Sequence, residues 1–445
     1  MKVTLSLLAA AALAGTVSAE SAMESLRKLK LETWTAESEA GAFDVDRYEP
    51  LMASAACVNG RAGEYRCSNV DMADFLRHQD MGSSTRRGND IWGWTSATGR
   101  EFGAVGQTDG TAFVEVLRDG SLVYLGRLPT QTTSSSWRDM KTIGDYLYVG
   151  AESSRHGLQV FDMKRLLTIN PSSPRVFSTS TDLTAHFSGF GNSHNIVAHE
   201  EANMIYAVGA TSATSCRGGL YMVDVSNPAR PTSPGCLSAG GYVHDAQCVT
   251  YSGPDTRYTG RQICFNFNEN TLDIVDVTSK TRPVTLSSTT YNGAAYTHQG
   301  WLSDGSMRFL LLDDELDEQR GTGPARNRRT TTYIVDVANL QRPVFTGYYQ
   351  SPAIAIDHNQ YTLNGLSYQA NYGSGLRIID VRTLSRDPTG AGIREVGYFD
   401  CHPEDDSVGG RTEFVGTWSV YPYFRSGFIL LNSIERGVFS LRYTG

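Results

Sequence analysis

The chain has 445 residues, 40% of them hydrophobic and 19% charged, with a formal net charge of −8. That length calls for several domains or one large repeat-built domain, and the composition excludes a disordered chain. The negative balance argues against nucleic acid or an anionic membrane as partner, since both select basic surfaces.

The N-terminus reads as a secretory signal over residues 1–19. Lys2 supplies the positive start, residues 3–14 form an apolar run too short to span a bilayer, and the small residues "VSA" precede Glu20. The reading predicts a secreted, extracellular protein with no membrane span. Seven cysteines agree with an oxidising compartment. The simplest pairing is local, Cys57–Cys67, Cys216–Cys236 and Cys248–Cys264, which leaves Cys401 over. Residues 20–56 read as a leader or pro-segment, partly helical or disordered. Its amphipathic stretch "SAMESLRKLKLETWTAES" (21–38) is expected to pack poorly.

From Cys57 to the end the sequence repeats itself. "GLQVFDM" (157–163), "GLYMVDV" (219–225), "TLDIVDV" (271–277), "TTYIVDV" (331–337) and "GLRIIDV" (375–381) share one pattern, with looser copies "TAFVEV" (111–116) and "GVFSLRY" (437–443). Each is a short β-branched run, with two short runs before it and in most units one after. Units of four strands, A to D, repeated at this spacing predict an all-β fold, a seven-bladed β-propeller over residues 57–445. The last unit supplies only three strands. An open blade would leave an exposed edge, so "NVDMADFLRH" (69–78) is expected to close the ring. The aspartate ending each "VDV"-type run is expected to tie its own turn.

These repeats resemble the LVIVD-repeat proteins, and within them the secreted or surface-anchored "choice-of-anchor B" group. The resemblance rests on ordered stretches such as "CVNGRAGEYRC", "HGLQVFD", "GYVHDAQCV", "ICFNFNENTLDIVDV", "YTHQGWL", "LLDDELDE" and "IDHNQY". It implies a propeller and an extracellular setting, and little chemistry.

In a propeller, the residue opening strand A and the loop leaving strand B share one face. The expected strand-A openings are Trp92, Trp137, His194, His244, His298, His358 and Trp418. Strand-B exits add Asp109, Glu152, His156, Glu269, Asn270, Asp313, Asp314, Glu315, Asn371 and Glu435, and Asp245 and Asp357 stand beside two of the histidines. The expected site is therefore one channel mouth. His194, His244, His298 and His358 would be metal ligands; Trp92, Trp137, Asp245, Asp313, Asp314, Asp357 and Trp418 would contact a ligand. Imidazoles favour zinc or copper, and the acidic run favours a hard cation such as calcium. A channel plugged by structural aromatics is the competing reading. No G-x-S-x-G, H-E-x-x-H or phosphate-loop motif occurs. The leading expectation is a binding module for an extracellular ligand: cell wall, glycan or protein. A metal-dependent extracellular enzyme, hydrolytic or oxidative, comes next, and then a structural wall or matrix protein.

Overall fold

The structure is a computed structural model that describes residues 21–50, 54–211 and 215–445. The expected signal segment lies outside the described residues. Seven antiparallel sheets form seven blades, as the repeats predict. The innermost strands, A, are Gly88–Thr95, Arg138–Ile143, Asn195–His199, Asp245–Thr250, Thr297–Leu302, Asn359–Leu363 and Thr417–Tyr421 for blades 1 to 7.

The repeat runs are strand C, and their near-continuous apolarity has a packing cause. A blade is covered on both faces by its neighbours, so alternate side chains are all buried. In blade 4, Leu272 and Ile274 pack on blade 5, while Val275 and Val277 pack on blade 3. The aspartates behave as expected. Oδ1 of Asp162, Asp224, Asp276, Asp336 and Asp380 each accepts a bond from the backbone N–H two residues on, tying the turn that leaves strand C.

Ring closure also follows the sequence reading. Val70–Arg77 pairs antiparallel with Gly437–Tyr443 and completes blade 7, with Phe75 stacked on Phe439 at 4.5 Å between centroids. The preceding segment extends blade 6, where Tyr65–Ser68 pairs with Arg394–Phe399. The three local disulfides are present, and Cys401 is free and buried.

The expectation of a poorly packed leader is corrected. Ala22–Glu39 is an 18-residue helix, α1, whose Ser21 side chain accepts a bond from the Glu24 N–H at its start. Met23, Leu26, Lys30 and Trp34 are buried along one face at helical spacing. The apolar stripe is narrow and contains a lysine, so apolarity alone undervalued it. What seats α1 is charge and aromatic complementarity with the channel mouth.

Candidate functional site: a helix-capped channel mouth

The site is built by register. Five blades place an aromatic ring at one register position of strand A, His194, His244, His298, His358 and Trp418, and blade 2 adds the ring of Trp137 just before its Arg138; all six ring residues are at most 7% exposed. Successive ring centroids lie 6.4, 4.2, 4.1, 4.4 and 5.1 Å apart. Blade 1 has Asn89 at this level, whose side chain donates to the Ser136 carbonyl. The missing seventh ring comes from α1. Trp34 packs against Trp137 at 5.6 Å and Trp418 at 6.0 Å, and its indole N–H donates to the Phe414 carbonyl at 2.8 Å.

Trp92 is therefore misplaced by the sequence reading. It stands three positions further along strand A than Asn89. There it packs edge-to-face on Tyr361 and Tyr421 in an aromatic plug deeper in the channel. The "IWGW" run holds two tryptophans and no histidine, so composition points to a tryptophan while register gives the position to Asn89.

Strand-B exits put carboxylates around the same mouth, and α1 engages three of them. Arg27 pairs with Glu152 at 2.9 Å, the Met23 N–H donates to Glu269 at 2.9 Å, and Lys30 Nζ lies 2.6 Å from Glu315 Oε1. Lys30 and Glu315 are fully buried. Burial pushes the Lys30 ammonium below its ordinary pKa, with Glu315 opposing. The ammonium also lies 5.2 Å from the Trp418 ring, 5.7 Å from Phe414 and 5.9 Å from Tyr372. The Tyr372 hydroxyl donates to Glu315 Oε1 at 2.5 Å. A carboxylate plus aromatic faces is a cage for an alkylammonium ion.

Two imidazoles around this cage, His244 and His358, are held as neutral acceptors. His244 Nδ1 donates to the His298 carbonyl at 2.9 Å, and His358 Nδ1 to the Trp418 carbonyl at 2.6 Å. Each bond fixes the tautomer and leaves Nε2 with its lone pair. His298 Nε2 lies 3.5 Å from Glu315 Oε2 and His358 Nε2 lies 3.6 Å from Oε1. Burial pushes His244, His298 and His358 well below the usual imidazole range, and neighbouring positive or imidazole groups add to it. His194 differs: its Nδ1 bonds Glu152 Oε1 at 2.6 Å. Burial raises the Glu152 pKa, yet His194 and Arg27 leave it below its ordinary value. The ligating atoms of His244, His298 and Glu315 fall within 4.8 Å of one another, a set that zinc or copper could use.

On the inner side of the histidines, and lined by them together with Asp90, Asp139, Lys141 and Asp245, is a cavity of about 10 Å³, room for one water or small ion. Lys141 pairs with Asp139 at 2.7 Å and Asp90 at 3.1 Å. Asp245 faces this cavity, and burial pushes its carboxyl up to about 7.

The acidic run divides. Glu315 reaches the cage. Asp314 is consumed by its own hairpin, accepting from the Tyr291 hydroxyl at 2.6 Å and from the Ala295, Tyr296, Leu316 and Asp317 N–H groups. Asp313 and Asp357 join Asp317 and Glu318 in a second buried acidic cluster beside the cage, near enough for the Glu315 charge to act on Asp357. Of the expected ligand residues, Trp137, Trp418 and the four histidines are brought together at the mouth, with Asp245 on the cavity that the histidines line; Trp92, Asp313, Asp314 and Asp357 are not. Sequence reasoning brought Glu315 to this face with the rest of its acidic run, and missed Lys30 and Trp34 as its partners at the centre of the site. The signal for those two was a lysine on the only apolar stripe of an otherwise polar helix.

Among known proteins, the LVIVD repeat family matches residues 216–236, which are in blade 3. No curated protein matches the chain. Among solved structures, the β-propeller domain of Cps50 (Swd1) from Myceliophteria thermophila is 11% identical, covering 77% of this chain and 94% of that one, with a TM-score of 0.46. Hydrazine synthase of Kuenenia stuttgartiensis is 11% identical, covering 81% of this chain and 98% of that one, with a TM-score of 0.51. At this identity the likeness to hydrazine synthase shows the propeller fold alone, and the likeness to Cps50 carries no argument.

Proposed function

We propose that this chain is a ligand-binding propeller that recognises a cationic group at the mouth covered by α1. The observation that carries the reading is Lys30, a lysine buried completely against one carboxylate and three aromatic rings. Burying an ammonium is costly unless it is paired, so the pocket is specific for that charge. In this reading α1 is a built-in occupant. An amine or basic side chain on an extracellular partner takes its place, with the Trp137 and Trp418 indoles as stacking faces for the rest of a cell-wall, glycan or protein ligand. Three disulfides favour an extracellular setting, and among the described residues no helix is long and apolar enough to cross a membrane. The resemblance to the choice-of-anchor B group points the same way.

Chemical rescue tests this. Lys30→Ala in the full chain opens a lysine-shaped space above Glu315. Propylammonium should raise the unfolding temperature of this variant, propanol should not, and the effect should vanish in Lys30→Ala/Glu315→Gln. Equal rescue by propanol would contradict a charge-selective cage.

A second reading, a metal-dependent enzyme, is favoured by one observation. His244 Nε2 and Glu315 Oε2 are buried without a hydrogen-bond partner, within ligand distance of His298. Those three residues would hold zinc or copper once the lysine is gone. Stoichiometric zinc in Lys30→Ala, absent from the parent chain, would favour this reading; no uptake would remove it.

A further inference from the structure

A second group of buried acids lies beside the mouth, outside the ammonium cage. Asp313 is the last residue but one of strand B of blade 5, Phe309–Asp314, Asp317 and Glu318 begin the single helical turn Asp317–Arg320, and Asp357 precedes His358 at the start of blade 6. All four are at most 1% exposed. Three of them spend one oxygen on the fold. Gln360 donates to Asp313 Oδ1 at 2.6 Å, the Tyr333 hydroxyl to Asp317 Oδ2 at 2.7 Å, and the Thr331 N–H to Glu318 Oε1 at 2.7 Å. The other oxygens, Asp313 Oδ2, Asp317 Oδ1 and Glu318 Oε2, have no hydrogen-bond donor, and neither oxygen of Asp357 has one.

Ligand oxygens of Asp317, Glu318 and Asp357 lie within 4.8 Å of one another. An ion about 2.3–2.6 Å from each would set its ligands at most about 5 Å apart. Among the described residues no lysine, arginine or histidine pairs with any of the four carboxylates; the nearby Arg328 guanidinium donates to the carbonyl of Gln319 instead. Burying several unpaired carboxylates is among the costliest arrangements a core can hold. Asp357 is the decisive member, since it is wholly buried, lies against Asp313 within the cluster and has no hydrogen-bond donor outside it.

We propose that Asp317, Glu318 and Asp357, backed by Asp313, bind one calcium ion. Every donor is a carboxylate oxygen, which selects a hard cation over zinc or copper. His358, the adjacent imidazole, points elsewhere, with Nδ1 on the Trp418 carbonyl. The ion ties the turn that leaves blade 5 to the first residues of blade 6. It thereby sets Glu315 and His358, which stand on those two segments, at the mouth. The site has its own donors and does not depend on the ammonium cage being correct.

The test uses the full chain. Protein purified without chelator should carry about one calcium per chain by elemental analysis. Chelation should lower the unfolding temperature by at least ~3 °C, and millimolar calcium but not zinc should restore it. Terbium should bind in calcium's place with luminescence excited through Tyr333, whose hydroxyl touches Asp317. Asp357→Asn should abolish the calcium response while remaining folded, and Glu318→Gln serves if that variant fails to fold. Metal-free protein whose unfolding temperature ignores chelator and calcium alike would overturn the proposal. So would a calcium response that survives in both variants. In that case the acids are neutral, proton-sharing groups of the core.

Discussion

Replacing Lys30 by methionine keeps the length and packing of the stem and removes the charge. Glu315 is then left fully buried, with the Tyr372 hydroxyl as its remaining hydrogen-bond donor among imidazoles that burial holds neutral. Removing one partner of a buried ion pair costs about 3–5 kcal/mol. The loss is bounded by the free energy that docks α1, because the helix can lift while the blades stay intact. Urea unfolding should therefore show a loss on the order of 3 kcal/mol for Lys30→Met, with faster proteolysis inside residues 22–39. Glu315→Gln should cost a comparable amount, and Lys30→Met/Glu315→Gln should recover most of it, since a neutral pair in the same space restores balance. The cycle then gives a coupling of about 2 kcal/mol or more. A single variant within ~0.5 kcal/mol of the parent, or strictly additive effects, would refute the ion pair as the latch.

Three further outcomes test the frame. Phe75→Ala in the closing strand removes a ring that is 5% exposed and stacked on Phe439, and should cost about 3–5 kcal/mol in chemical unfolding; a loss under 1 kcal/mol would leave ring closure by this strand unsupported. Burial pushes the Glu435 carboxyl up to about 8. Its folded pKa lies above the unfolded one, so its contribution is fully present below about 4.5 and is lost as pH rises through about 8. Glu435→Gln should accordingly be more stable than the parent at pH ~9, by on the order of 3 kcal/mol, and match it near pH ~4; unchanged stability at both ends would contradict the sign. The Cys401 thiol is buried and pushed up to about 12 by desolvation. An alkylating reagent should label one thiol per chain only after denaturation, and rapid labelling of the native protein would place Cys401 elsewhere.

The propeller was legible because its signals are local and repeated. The "VDV" runs mark strand C, and the missing fourth strand of the last unit points to the N-terminal one. The histidine ring was legible for the same reason: register carries His194, His244, His298 and His358 to one level. Blade 1 broke that logic, because its strand A has Asn89 at the ring level and Trp92 deeper, and composition favoured the tryptophan. The acidic run was read as one unit, yet its members point different ways. Asp314 caps its own hairpin, Glu315 meets Lys30, and Asp317 and Glu318 turn toward Asp357 on a one-turn helix that no periodicity announces. α1 was the largest miss. A helix whose buried face mixes leucine, methionine, lysine and tryptophan looks loose in isolation, and its fit becomes visible only against carboxylates far away in sequence.

The central claim is that the mouth binds α1 through a caged ammonium. Titration calorimetry of a peptide of residues 21–40 into the chain lacking those residues tests it most directly, because every blade strand lies downstream of that segment. The account predicts saturable one-to-one binding that is lost when the peptide carries Lys30→Ala or the propeller carries Glu315→Gln. A folded propeller that ignores the peptide, or binds it equally well without Lys30, would contradict it.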